Sequence, residues 1–204
     1  MTTAAVTTID LKREYAGLHR ASVRVPELVY VPELRYLAIE GQGSPEEEAF
    51  QDAVGAMYAI AYGCRFGAKK ELALDYPVMP LEGLWWTASG AEFTSVQSDD
   101  TRWMLLILVP KELPEEFFKR VQLVAQVKAP KAALARLITL KEGRAVQVMH
   151  VGPYATEAAT IARLEAFAHG SGLKFTGKHH EIYIGDPRRA APDKLRTILR
   201  HPVE

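Results

Sequence analysis

The sequence predicts an α+β fold made of two successive βαββ units that form one pseudo-twofold domain. Helices are expected on one side of the antiparallel sheets and a ligand cleft on the other. Two observations predict this. The segments PLEGLWW (80–86) and HHEIYIG (179–185) each place a glutamate, Glu82 or Glu181, in a strand-like run followed by aromatic or large apolar residues. Each segment also follows a strand-like run and a long helical pattern and precedes another apolar run, so the order β-α-β-β occurs twice. The period is half the chain, too long for a solenoid repeat of about 20–50 residues. A carboxylate in an apolar strand is costly to bury without a partner. Two such carboxylates at matched places point to a paired acidic and aromatic cleft.

In chain order, the first eight residues are expected to be mobile. A short leading strand near 28–31 precedes ELRYLAIEGQG (33–43), a strand that ends in glycines. The helical run 44–67 carries Phe50, Val54, Met57, Tyr58 and Ala61 at spacings of three and four, which make one buried stripe. Ser44 is its expected N-cap and Pro45 its first residue, with Glu46, Glu47 and Glu48 at the positive end of the dipole. The first glutamate strand and RWMLLILVP (102–110) complete the unit. A connector helix over 113–130, bounded by Pro114 and Pro130, joins the halves. The second unit holds RAVQVMHVGPY (144–154), then a helix over 155–172 with Ile161, Leu164 and Ala168 inward, stopped by Gly170 and Gly172. The second glutamate strand and KLRTILRHPVE (194–204) close it. The expected organisation is one domain over 1–204, with repeat 1 about 23–111 and repeat 2 about 134–204.

Strand alternation sorts the side chains. Glu82, Leu84 and Trp86 share a face, and Glu181 and Tyr183 share the corresponding one, with His179 behind them. Tyr36, Ala38 and Glu40 belong to that side, as do Val146, Val148 and His150. Leu37, Ile39, Trp85, Ile182 and Ile184 are the expected core under the helices. On this assignment Glu82 and Glu181 lie at the floor of one cleft. A purely structural role, with each glutamate accepting hydrogen bonds that hold the sheet together, is equally open from alternation alone.

The chain has 204 residues, 25 basic and 25 acidic, which argues against an electrostatic grip on nucleic acid. Its single cysteine, Cys64, excludes an internal disulfide and reads as a buried thiol in a reducing cytoplasm. No segment has the length of a membrane span, and the N-terminus lacks the pattern of a secretion signal. The expected localisation is therefore cytoplasmic, with no membrane partner; the oligomeric state is not written in the sequence. HHE (179–181) lacks a second histidine at zincin spacing, and GQG (41–43) lacks the rest of a dinucleotide loop. No metal and no cofactor is expected. Asp186-Pro187-Arg188-Arg189 reads as a turn with solvated arginines.

HHEIYIGDPRR with PDKLRTILRHPV (192–203), PLEGLWW and VQVMHVGPY (146–154) resemble the GyrI-like small-molecule-binding proteins over nearly the whole chain. They are similar to the stand-alone subfamily of cyclopropanoid cyclopropyl hydrolases, which open the strained cyclopropane of DNA-alkylating natural products with water inside an aromatic cage. The resemblance implies a partner that is a planar aromatic small molecule. It implies Glu181 and Tyr183 as catalytic residues, and Glu82, Trp86, Trp103, Tyr154, Phe175 and His179 as ligand-binding residues. In multidrug-binding relatives the family glutamate holds cationic aromatic compounds, so a non-catalytic sequestering protein is the alternative. Haem binding, known in similar SOUL-like folds, is a third. No helix-turn-helix pattern accompanies the domain, which favours a free-standing binder or hydrolase over a sensor.

Overall fold

A computed structural model describes residues 6–90, 100–185 and 190–204. The turn expected at Asp186-Pro187-Arg188-Arg189 lies outside these residues, as do the first five. The strands are β1 (Thr7–Thr8), β2 (Glu27–Gln42), β3 (Leu74–Asp75), β4 (Leu81–Thr87), β5 (Thr101–Leu108), β6 (Arg136–Val151), β7 (His179–Tyr183) and β8 (Arg196–Pro202). The α-helices are α1 (Leu11–Glu14), α2 (Glu48–Glu71), α3 (Glu115–Ala125) and α4 (Ala158–Gly170). Short 3-10 turns occur at Ala16–Leu18, Pro130–Leu134, Tyr154–Thr156 and Pro192–Lys194. The main elements follow β-α-β-β twice, as β2-α2-β4-β5 and β6-α4-β7-β8.

Several boundaries differ from expectation. The leading strand and the strand after it are one continuous β2. Thr7–Thr8 is not loose but pairs in parallel with Leu74–Asp75. Helix α2 starts at Glu48 rather than Pro45, because the Ser44 backbone N–H donates to the Glu47 carboxylate at 2.8 Å and ties 44–47 into a turn. The connector is a shorter α3 followed by a 3-10 turn.

Six strands close into an antiparallel barrel in the order β2-β5-β4-β7-β8-β6. Closure follows from the length of β2 and β6. Strand β2 pairs with β6 through Glu27–Ala38 and with β5 through Tyr36–Gln42, and β6 pairs with β2 and β8. One sheet face therefore becomes a barrel interior instead of an open cleft, and the helices pack on the outside. Helix α2 buries Phe50, Ala53, Met57, Ile60 and Cys64 against β2 and β5. Helix α4 sets Leu164 and Ala168 on Val146, Val148 and Leu199. The Cys64 thiol is buried as expected, and burial pushes it up to about 12.

The barrel interior holds a buried ion network. His180 Nε2 donates to Glu82 Oε2 at 2.9 Å, and His180 Nδ1 donates to Glu142 at 3.0 Å. Only the imidazolium donates from both nitrogens. Arg200, 1% exposed, lies 3.6 Å from Glu142 and donates to Gln147 Oε1 at 2.9 Å. Glu142 and Gln147 have opposite parity on β6, yet both reach Arg200. Gly143 (φ +71) stands between them in the left-handed conformation and breaks the alternation. The segment before β2 supplies the remaining acceptors: the Leu18 carbonyl takes Arg200 Nη2–H, and the Gly17 and Arg20 carbonyls take Gln147 N–H bonds. His19 adds a contact to Glu82 at 3.3 Å.

Burial pushes the Glu82 carboxyl up, but the hydrogen bonds from His180 and His19 outweigh it and bring it from 4.5 down to about 2. Burial pushes His180 down, but Glu142 and Glu82 outweigh it and lift it from 6.5 to about 9. The Glu82 contribution to stability is complete above about pH 4.5 and is lost as pH falls through about 2. The His180 contribution is complete below about pH 6.5 and is lost as pH rises through about 9. Chemical denaturation across pH should therefore give a stability plateau between those two bounds. A curve that keeps rising from neutral pH to pH 9 would contradict the network.

Candidate functional site

The register between β4 and β7 decides which side chains meet. Gly83 lies opposite Glu181, Glu82 opposite Ile182, Leu84 opposite His180 and Trp85 opposite His179. Directly opposed residues share a face. Glu82 therefore shares the interior with His180 and Ile182, while Glu181 shares the outer face with Trp85 and His179. The two glutamates do not floor one cleft. Ile182, expected under a helix, faces the interior, because the expected correspondence between the two strands is off by one residue.

On the outer face a chain of hydrogen bonds ends at Glu181. Trp85 Nε1–H donates to the Tyr183 hydroxyl at 3.1 Å, and that hydroxyl donates to Glu181 Oε2 at 2.9 Å. His179 Nε2 is 3.4 Å from Glu181 Oε1. Tyr154 meets Tyr183 edge to face at 5.8 Å and, 38% exposed, is the accessible aromatic of the group. Burial and the negative charge of Glu181 push the Tyr183 hydroxyl well up, so it stays a donor.

Glu157, just before α4, completes the arrangement. It shares a hydrogen bond with Glu181 and another with Thr197 on β8. Burial and the Glu181 charge push its carboxyl well up, so it keeps its proton at neutral pH. Its Oε1 is buried with no hydrogen-bond partner among the described residues. A proton-holding acid thus stands one hydrogen bond from an accepting carboxylate, beneath aromatic rings. A buried acid that keeps its proton in this way can act as a proton donor to a group bound beside it.

The other sequence-predicted residues lie further out. Trp103 packs edge-on against Phe50 at 5.1 Å, and Phe50 in turn stacks on Trp85 at 5.7 Å. Phe175 stacks on His201 at 4.0 Å, and His201 tilts against His179 at 5.9 Å. Trp86 has the parity of Glu82 and carries the Lys178 ammonium over its ring at 3.2 Å. Burial and the neighbouring His179 push His201 down to about 4. Sequence reasoning missed Glu157 and left Trp85 to the core. A lone glutamate at a helix start is what the dipole alone would place there, so Glu157 carried no distinguishing signal. Trp85 is buried as expected; its role lies in its N–H.

Gly83 is part of the geometry. A Cβ there would sit 2.8 Å from both Trp85 Nε1 and the Tyr183 oxygen. Gly83→Ala should separate that pair, loosen Glu181 and reduce ligand binding or turnover about 10-fold or more, with the far-ultraviolet spectrum unchanged. Parent-level binding and turnover in this variant would show that the Trp85–Tyr183 contact does not matter.

The family described as GyrI-like small molecule binding domain matches residues 24–204. The chain belongs to the GyrI-like family. Among solved structures, an uncharacterized conserved protein from Listeria innocua is 37% identical, with a TM-score of 0.86 over 96% of this chain and 100% of that one. A hydrolase encoded by lin2189 from Listeria innocua is 35% identical, with a TM-score of 0.85 over 97% of this chain and 100% of that one. The EcmrR C-terminal domain, 13% identical with a TM-score of 0.56 over 88% of this chain and 96% of that one, shares the GyrI-like fold. No curated protein matches the chain. Among the described residues no helix is long and apolar enough to cross a membrane.

Proposed function

We propose that this GyrI-like protein binds planar aromatic xenobiotics beside Glu181 and hydrolyses the cyclopropane ring of DNA-alkylating natural products, protecting the cell that makes it. The observation that carries this reading is the pair of unlike carboxyls, Glu157 protonated and Glu181 accepting, under Trp85, Tyr183 and Tyr154. The resemblance to a Listeria protein described as a hydrolase supports it. Tyr154 and Tyr183 offer ring faces and edges to a flat ligand, with stacking of about 0.5–1.5 kcal/mol per pair beyond burial.

In the reaction, Glu181 takes a proton from water as the water oxygen bonds to the cyclopropane methylene. The strained C–C bond breaks, and its electron pair moves into the conjugated carbonyl. That oxygen takes the Glu157 proton and becomes a hydroxyl. Proton return from Glu181 to Glu157 along their shared hydrogen bond resets the site. Tyr183 and Trp85 position Glu181. The same reading treats the two β-α-β-β runs as copies of one unit related by a pseudo-twofold axis. The counterpart of Glu181 is then Gly83, its direct cross-strand neighbour, and not Glu82.

Incubation with a cyclopropane-bearing alkylating compound should give a product heavier by one water in mass spectrometry. Ligand recovered unchanged, with the tryptophan fluorescence quenched, would favour the sequestering alternative. That second reading draws on the same Glu181 carboxylate, which can hold a cation against the Tyr154 and Tyr183 rings.

A further inference from the structure

The turn that brings Tyr154 and Glu157 to Glu181 is fastened from beneath by His150, a buried residue that the hydrolytic steps leave unused. On the outer face of the barrel His150 lies opposite Thr197, and Thr197 lies opposite Tyr183. Residues 152–157 span that row. Glu157 reaches from the span to Thr197 and Glu181, and Tyr154 reaches Tyr183.

The imidazole ties the span at both ends. Its Nε2 lies 3.2 Å from the Pro153 carbonyl oxygen, and its Nδ1 lies 2.9 Å from Thr160 Oγ1 in the first turn of α4. A carbonyl only accepts, so Nε2 carries the proton of that bond. Thr156 Oγ1 donates to the same carbonyl at 2.8 Å and stands 3.3 Å from Nε2. The fit is close. A Cβ on Gly152 (φ +138) would meet Thr156 Oγ1 at 3.3 Å and His150 Nε2 at 3.5 Å. One side chain on β6 thus grips the chain before Glu157, at Pro153, and after it, at Thr160.

What the span holds is costly to hold. The Glu157 and Glu181 carboxyls share a hydrogen bond out of water, and burial is the largest cause that keeps the Glu157 proton in place. That burial depends on where the span lies. A span free to lift would admit water to Glu157 and part it from Glu181, and its carboxyl would move down.

We propose that His150 is a positioning residue of this site: its bonds to Pro153 and Thr160 pin the 152–157 turn and so hold Glu157 on Glu181 and Tyr154 on Tyr183. The proposal rests on the reading of Glu157 and Tyr154 as working parts of the site.

The test is the ¹³C resonance of the Glu157 carboxyl, assigned with Glu157→Gln and followed against pH in the protein without ligand. The groups that face Glu157 are Glu181 and Tyr183 on β7 and Thr197 on β8, all unchanged in the variants. His150→Phe keeps a buried ring and removes both hydrogen bonds. Glu157 should then titrate about one pH unit or more below its position in the parent. Turnover of a cyclopropanoid should fall about 10²-fold, the scale of a misplaced reacting group. His150→Gln, whose amide can donate to Pro153, should restore most of both. Thr160→Val removes one hydroxyl and should move Glu157 in the same direction by less. A Glu157 titration unmoved in folded His150→Phe, or in Thr160→Val should His150→Phe not fold, would overturn the proposal and leave the hydrolase reading intact. Equal losses in His150→Phe and His150→Gln would overturn it as well. The expected titration shifts in a protein that hydrolyses nothing would support His150 as the anchor of the turn and sink the hydrolase reading alone.

Discussion

Glu181→Gln is expected to yield a folded protein that binds a neutral cyclopropanoid and hydrolyses it about 10²–10⁴-fold more slowly, the range of general acid–base help. The substitution keeps the size of the side chain, and its oxygen can still accept the Tyr183 hydroxyl, so the hydrogen bonds from Trp85 to residue 181 survive. Two things are lost together. The basic oxygen that takes the water proton is gone. The negative charge that adds to burial in holding the Glu157 carboxyl up is gone too, so Glu157 moves down, although its burial, the larger cause, still holds it raised. Turnover in mass spectrometry and binding by tryptophan fluorescence separate the outcomes. Parent-rate hydrolysis of a neutral substrate would refute catalysis by Glu181. Weakened binding of cations alone would support sequestration. Tyr183→Phe removes one hydroxyl and should give an intermediate loss, because it frees Glu181 to rotate without discharging it.

His180→Leu should lower the unfolding free energy by about 3–5 kcal/mol, because it leaves the Glu82 and Glu142 carboxylates buried without their shared imidazolium. For a chain of this size that corresponds to a fall in Tm of roughly 6–20 °C. Urea denaturation at pH 6, inside the expected plateau, measures it. Glu82 is 1% exposed and the Glu142 side chain 4%, so neither can recover solvent. A loss below about 1 kcal/mol would mean that the interior network is dispensable. Ligand binding should persist in whatever fraction of the variant remains folded, since His180 faces away from Glu181.

Much of this molecule is legible in local pattern. Apolar spacing of three and four located α2 and α4, with Phe50, Met57, Leu164 and Ala168 inward. The matched order of elements and the grouping of Glu181 with Tyr183 and His179 follow from alternation along a single strand. Helix ends were less legible. Ser44 and Pro45 look like a helix start, and the Glu47 side chain overrides them by binding the Ser44 N–H.

Alternation says which residues of one strand share a face, and it carries no information about the neighbouring strand. Glu82 and Glu181 sit in matched motifs, and only the pairing of Gly83 with Glu181 sends one carboxylate into the barrel and the other outside. That register joins strands from opposite halves of the chain, within the closed ring. Closure also gives Glu82 its partners His180 and His19, and makes it an interior ion. Glu157 became a candidate acid for the same reason. A solvated glutamate at a helix start has an ordinary proton affinity, and packing α4 over the outer face buries this one beside a second carboxylate.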